Sequence, residues 1–405
     1  MGKIRNMFGK EKLKTLAKWL AFVVSVFVIG GSGGVYFRGH VVPSLVASFP
    51  GLSRMELFRD VAGSTMVIER KEQMVVREDD SVETIVSQPA TAVVNIVISL
   101  PNGTSSSVRE SRSRTGVILT NDGVVATYGD PSQRDDVPSE SAQVPYPGSS
   151  FHVLLYDGSD HEAKFLGYDR LTNLSFLRID GTGFPAIALA NSDDSAPGKK
   201  LVAIGNAYEE YQNRFSIGVL SNRNKLFNLS GKTVASSEKW EGVFEADIAD
   251  PSPYLGGPAV NFRGEMVGLF GSVVFDGKER HFLLPSNVVR DTLSLAVAGK
   301  LSDRASLGAY YLTLTKASAV GDGASGRDRG ALIYSPSGKT GLSVLAGSPA
   351  AKAGLRFGDI VIAVDGKEIN LDNPLSVAIG GHSKGDEASL LVLRDGKELA
   401  IPVRF

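Results

Sequence analysis

The sequence predicts an all-β fold of antiparallel sheets closing into barrels, followed by a smaller α+β module and preceded by an apolar helix. Three observations carry this. β-rich runs joined by Asp-Gly turns recur through residues 81–300, a short Pro-started helix between strand-like runs marks residues 305–405, and an uncharged run follows a basic N-terminus.

With 405 residues, 42% of them apolar, and 45 glycines, the chain is long enough for two or three packed domains. A net charge of −1 gives no bulk attraction to nucleic acid. The absence of cysteine excludes disulfides and thiolate metal sites and leaves the redox compartment open. The five histidines show no metal-ligand spacing, so neither a zinc enzyme nor a cysteine enzyme is indicated, and no cofactor or metal is expected.

Residues 1–18 form a basic tail with Lys3, Arg5, Lys10, Lys12, Lys14 and Lys18. The uncharged run Trp19 to Phe37 spans about 28 Å as a helix at roughly 1.5 Å per residue, close to one hydrocarbon core. This pattern predicts a single-pass anchor with a cytoplasmic N-terminus and the bulk of the chain extracytoplasmic, in the periplasm or at the cell surface. The rival reading is a cleaved signal peptide, because Gly30, Gly31, Ser32, Gly33 and Gly34 supply small residues near its end. Residues 38–80 read as an extracytoplasmic linker with an amphipathic turn or two from Ser53, serving as a spacer or in self-association.

In residues 81–300, Asp122-Gly123, Asp157-Gly158 and Asp276-Gly277 supply the positive φ that tight hairpins require. The ordered segments Ala92-Val-Val-Asn-Ile-Val-Ile, Thr115-Gly-Val-Ile-Leu-Thr-Asn-Asp-Gly, Asp157-Gly, Gly167-Tyr-Asp, Leu201-Val-Ala-Ile-Gly-Asn, Ser216-Ile-Gly-Val-Leu-Ser, Gly256-Gly-Pro and Leu284-Pro-Ser-Asn together resemble the HtrA/Deg trypsin-like serine proteases. The resemblance implies a trypsin-like double β-barrel, a serine endopeptidase ancestry and a homotrimer built through the barrels.

It also assigns the catalytic positions. The family's histidine position falls on Asp130 in Thr127-Tyr-Gly-Asp-Pro, and its aspartate position on Asn173 in Asn173-Leu-Ser-Phe-Leu-Arg. The serine position falls on Leu255, inside the loop Asp247 to Val260 that reads DIADPSPYLGGPAV. An aspartate cannot shuttle a proton near neutral pH as imidazole does, an asparagine carries no charge to steady an imidazolium, and leucine has no nucleophile. Pro253 stands at the glycine whose N–H would enter the oxyanion hole, and proline has no N–H. The triad is therefore read as degenerate. An alternative is an active endopeptidase with displaced residues: His152, His161 and Ser252 are the candidates, the histidines otherwise being ordinary half-exposed strand residues. The polar stretches Pro101 to Arg114 and Pro131 to Ser150 read as surface loops, the second a candidate cover for the former cleft.

In residues 305–405, the segment Gly341-Leu-Ser-Val-Leu-Ala-Gly-Ser-Pro-Ala-Ala-Lys-Ala-Gly-Leu-Arg-Phe-Gly-Asp-Ile-Val resembles the core of a PDZ domain. The resemblance implies a peptide groove with its carboxylate loop at Leu307, Gly308, Ala309 and Tyr310 and its groove helix near Pro374 to Ile379. Ala309 and the polar insert Ser318 to Arg329 depart from a compact PDZ. The function expected is peptide binding by a degenerate HtrA-type protein, as regulator, scaffold or holdase in envelope protein quality control. Its expected partners are unfolded or C-terminal peptide segments, an active protease homologue, and the membrane through the N-terminal helix, but no nucleic acid.

Overall fold

The computed structural model describes residues 82–100, 110–130, 149–206, 213–320, 326–337 and 342–405, all within one compact unit running from Val67 to Phe405. The anchor at 19–37, the linker at 38–80, and most of the stretches at 101–114 and 131–150 lie outside the described residues. Among the described residues, no helix is long and apolar enough to cross a membrane.

A short helix, α1 (Val82–Thr91), leads into the first barrel. That barrel comprises β1 (Val93–Leu100), β2 (Glu110–Ile118), β3 (Val124–Tyr128), β4 (Ser150–Leu154), β5 (Asp160–Asp169) and β6 (Leu174–Ile179), closed in the order β1-β2-β3-β6-β5-β4. The second comprises β7 (Lys200–Gly205), β8 (Arg214–Asn228), β10 (Glu241–Asp247), β11 (Pro258–Val260), β12 (Met266–Phe275) and β13 (Lys278–Pro285), closed in the order β10-β13-β12-β11-β7-β8. Between β8 and β10 lies the two-residue strand β9 (Ala235–Ser236), which pairs outside the barrel.

The predicted Asp-Gly turns are where they should be. Asp276 and Gly277 have φ of 48° and 76° at the β12–β13 turn, and Gly158 has φ of 82° between β4 and β5. Apolar alternation closes the barrels: along β4, Phe151 and Val153 are buried while Ser150, His152 and Leu154 are only half-buried. Strand β3 is buried along its whole length, because one face fills its barrel and Tyr128 packs edge-on to Phe282 of the second barrel, 5.6 Å between centroids. Helix α2 (Ser286–Val297) then buries Val288, Val289 and Leu293.

The C-terminal module contains β14 (Tyr310–Thr313), α3 (Lys316–Val320), β15 (Ala331–Ile333), α4 (Pro349–Lys352), β16 (Ile360–Val364), β17 (Lys367–Glu368), α5 (Leu375–Gly380), β18 (Glu387–Arg394) and β19 (Lys397–Arg404). Helix α4 starts as expected, with the Ser348 hydroxyl accepting from the Ala351 amide at 3.2 Å and Pro349 in its first turn. Helix α5 begins after Pro374, where the groove helix was predicted. The sheet runs β19-β18-β16-β15-β14-β9, so its last strand comes from the barrel region rather than from the module itself.

Candidate functional site

The loop read as a nucleophile turn is internally satisfied. Residues Ser252–Tyr254 form a single 3-10 turn, and Leu255 follows with φ −57° and ψ 126°. The Tyr254 amide donates to the Pro251 carbonyl at 3.1 Å, that of Leu255 to Ser252 at 3.3 Å, that of Gly256 to Phe270 at 2.9 Å, and that of Gly257 to Tyr254 at 2.8 Å. Pro253 is buried and has no N–H. An oxyanion hole needs N–H groups aimed together at an open position, and the amides of Tyr254, Leu255, Gly256 and Gly257 are already bound to carbonyls of the protein. Gly256 is required by geometry: its φ is +82°, and a Cβ there would lie 2.3 Å from the Thr115 carbonyl and 2.6 Å from the Thr127 hydroxyl. The turn thus presses on β3, which leads to Asp130.

Asp130 and Asn173 meet around one tyrosine. Asn173 has φ of 59°; its Oδ1 accepts from the Tyr168 hydroxyl at 2.8 Å and from Lys239 Nζ at 2.6 Å, and its Nδ2 donates to the Tyr128 hydroxyl at 3.0 Å. Asp130 is buried and close enough to matter electrostatically: burial raises the Tyr168 phenol above its usual range, and the Asp130 carboxylate adds to the effect. Two tyrosines and a lysine therefore take both acceptor positions of the amide oxygen and one of its two N–H donors. No imidazole is among the groups that bond Asn173.

The displaced candidates do not assemble. His152 stands on the outward face of β4 against Asp160, 3.1 Å away, and His161 contacts the Ser159 hydroxyl at 3.1 Å and the Phe184 ring. Both belong to the β4–β5 hairpin. Ser252 is approached instead by His281, whose Nε2 is 3.5 Å from the Ser252 hydroxyl and 3.7 Å from Glu279 Oε1. A relay needs one ring nitrogen toward the hydroxyl and the other toward the carboxylate, whereas here one nitrogen faces both. His281 carries no local signal in the sequence, because only the second-barrel fold brings it to Ser252, 29 residues away.

The groove of the C-terminal module is engaged. The amides of Leu307 and Gly308 both donate to Glu238 Oε1, at 3.0 and 2.7 Å, and the Ser237 hydroxyl donates to the same oxygen at 2.7 Å. The Ala309 amide donates to the Ser237 hydroxyl at 3.0 Å, and the Ser237 amide donates to the Ala309 carbonyl at 3.0 Å. Strand β9 adds antiparallel to β14, with Ser236 opposite Tyr310 and Ala235 opposite Tyr311. Beyond it, buried Glu241 accepts from the Tyr311 and Thr313 hydroxyls, each at 2.7 Å, and burial pushes its carboxyl up to about 7 against those two bonds. The loop predicted at Leu307 to Tyr310 thus presents amides that accept a carboxylate; Ser237, Glu238 and Glu241 had no local signal, lying about seventy residues from their partners.

Two six-stranded antiparallel barrels in tandem, joined to a PDZ-like module whose loop amides bind a carboxylate, define the class: a trypsin-like fold with a peptide-groove domain. The description "Trypsin-like peptidase domain" matches residues 105–269 and "PDZ domain" matches residues 319–404. The "Probable periplasmic serine endoprotease DegP-like" of Pseudomonas fulva is 28% identical over 297 residues, 72% of this chain and 53% of that protein. The protein of the same description from Marinomonas is 30% identical over 295 residues, 71% of this chain and 56% of that protein. The chain thus spans just over half the length of these curated relatives. Among solved structures, "HtrA-type protease AlgW with tripeptide" aligns over 80% of this chain and 96% of that one, with a TM-score of 0.60 at 23% identity. The chain belongs to the HtrA/Deg-type trypsin-like family with a PDZ domain.

Proposed function

We propose that this chain is a membrane-anchored, extracytoplasmic HtrA-type pseudoprotease that binds exposed or C-terminal peptide segments of envelope proteins, acting as regulator, scaffold or holdase. The observation that carries the reading is the turn at 252–257. Leucine replaces the nucleophile, proline removes one oxyanion donor, and the amides of Tyr254, Leu255, Gly256 and Gly257 are committed internally. One lost oxyanion donor is worth about 3 kcal/mol of barrier in related chemistry, and here the base and its orienting carboxylate are also substituted. The position of the relatives supports an extracytoplasmic site, since they are named periplasmic. The peptide bound to the HtrA-type neighbour supports peptide binding. The anchor is residues 19–37, with 1–18 cytoplasmic and 38–80 as linker.

The test is to incubate the full chain with an unfolded protein and, separately, with a serine-reactive fluorophosphonate probe. The reading predicts neither cleavage nor labelling from folded protein. Cleavage and labelling that survive repurification, and that are lost in His281→Ala or Ser252→Ala, would show a relocated active centre and contradict it.

A further inference from the structure

We propose that residues 235–238 are an intramolecular ligand of the PDZ groove, with the Glu238 carboxylate standing in for a C-terminal carboxylate, so that a free chain end enters only by displacing this segment. The inference rests on the peptide-binding function proposed above and adds its regulation.

Four features of the contact match a bound chain end. The segment joins the edge of β14 antiparallel, so the edge that would receive a peptide strand is already paired. Its polarity is that of a C-terminal ligand: Ala235 lies opposite Tyr311, Ser236 opposite Tyr310, and the chain then reaches Leu307 and Gly308 through Glu238. The two loop amides converge on a single carboxylate oxygen, the charge-assisted geometry that a terminal carboxylate would adopt. The methyl group of Ala235 is buried in the same apolar cluster as Leu307, Tyr311, Leu375 and Ile379.

The self-ligand is also a minimal one. Its ladder is two residues long, its buried apolar side chain is a single methyl group, and Glu238 remains half-buried. A cavity of about 910 Å³, lined in part by Arg170, Glu238 and Arg304, adjoins the carboxylate and gives the side chain room to turn aside. A chain end with a longer strand and a larger apolar side chain would replace all of these contacts and add to them. Because only the open fraction of the protein accepts a ligand, closure lowers apparent affinity in proportion. The segment continues into Lys239 and Trp240, which bond to Asn173 and to the Leu171 carbonyl, so displacement would be felt at the former catalytic position.

The test uses the full chain as wild type, Glu238→Ala and the near-isosteric Glu238→Gln, each checked for an unchanged unfolding transition of the barrels. Amide exchange is read at Leu307 and Gly308. Binding is read with a labelled pool of peptides randomised at their last four positions, once with free carboxylates and once amidated. The proposal predicts that Glu238→Ala speeds exchange at both amides and lowers the half-saturating pool concentration by at least about tenfold, for the free-carboxylate pool alone, with Glu238→Gln between. Equal exchange and equal binding in wild type and variants would overturn the self-ligand while leaving peptide binding intact. Faster exchange in the variants with no binding by any of the three proteins would overturn the competition and the peptide-binding function together.

Discussion

Glu238 Oε1 lies 2.7 Å from the amide nitrogen of Gly308, and the next residue, Lys239, places its ammonium 2.6 Å from Asn173 Oδ1. Residues 238 and 239 therefore touch both places that the family resemblance marks, the peptide groove and Asn173. They do so from a turn closed by the Lys239 amide donating to the Ser236 carbonyl at 3.1 Å, which sends consecutive side chains in different directions.

Glu241 sets a pH dependence. Its carboxyl is raised from 4.5 to about 7 by burial, so the folded protein holds a proton that the unfolded chain releases between those values. The stabilising contribution is complete below about pH 4.5 and is lost as pH rises through 7, by up to roughly 3 kcal/mol at ~1.4 kcal/mol per unit. Denaturant unfolding followed at pH 5 and pH 8 should show the loss in wild type. Glu241→Gln, which cannot titrate and keeps one accepting oxygen while its NH2 donates to the other hydroxyl, should flatten that part of the profile.

Gly308→Ala should be costly. The backbone there has φ of +75°, and an added Cβ would lie 2.4 Å from the Ser348 Cβ. The expected loss is about 1–3 kcal/mol in the unfolding of the C-terminal module, together with faster exchange at Leu307. Gly347→Ala, at a φ of +74° with open space around it, should cost less, about 1 kcal/mol. Equal losses would show that the contact with Ser348 does not constrain the loop.

Restoring the nucleophile alone should restore nothing. On the proposed assignment of the triad positions, Leu255→Ser would place a hydroxyl on the turn, while Pro253 still lacks an N–H and Asp130 and Asn173 stand in the places of the base and its partner. The variant should neither label with fluorophosphonate nor cleave an unfolded protein above background.

Asn173→Ala should destabilise the first barrel. It removes the partner of Tyr128, Tyr168 and Lys239 and puts alanine at φ of 59°, a conformation asparagine tolerates better. Leaving the buried Tyr128 phenol and the half-buried Tyr168 phenol without this partner costs about 1–3 kcal/mol, and thermal unfolding of the variant against wild type reads it.

The family fold was legible because its signals are local. Asp276-Gly277 forces a tight hairpin by its own φ preferences, Ser348-Pro349 starts a helix by its own chemistry, and Phe151 and Val153 declare the inner face of a strand by alternation. The loop at Leu307 to Tyr310 could be placed for the same reason. What fills it could not. Glu238 sits in an ordinary polar stretch, Ser237-Glu238-Lys239, and only the closing of the second barrel carries it to Gly308. The pairing of Ser252 with His281 is likewise a product of tertiary folding. His152 and His161, the sequence-based candidates for that role, are kept by the alternation along β4 and the β4–β5 pairing in the hairpin they flank.

Binding without hydrolysis, the function proposed, is tested by mass analysis of a peptide pool with random free C-termini after prolonged incubation with the full-length Glu238→Ala chain. Bound peptides should be recovered at unchanged mass and enriched for particular terminal residues. Peptides recovered as cleaved products, in amounts that grow with protein concentration and persist through repurification, would contradict it.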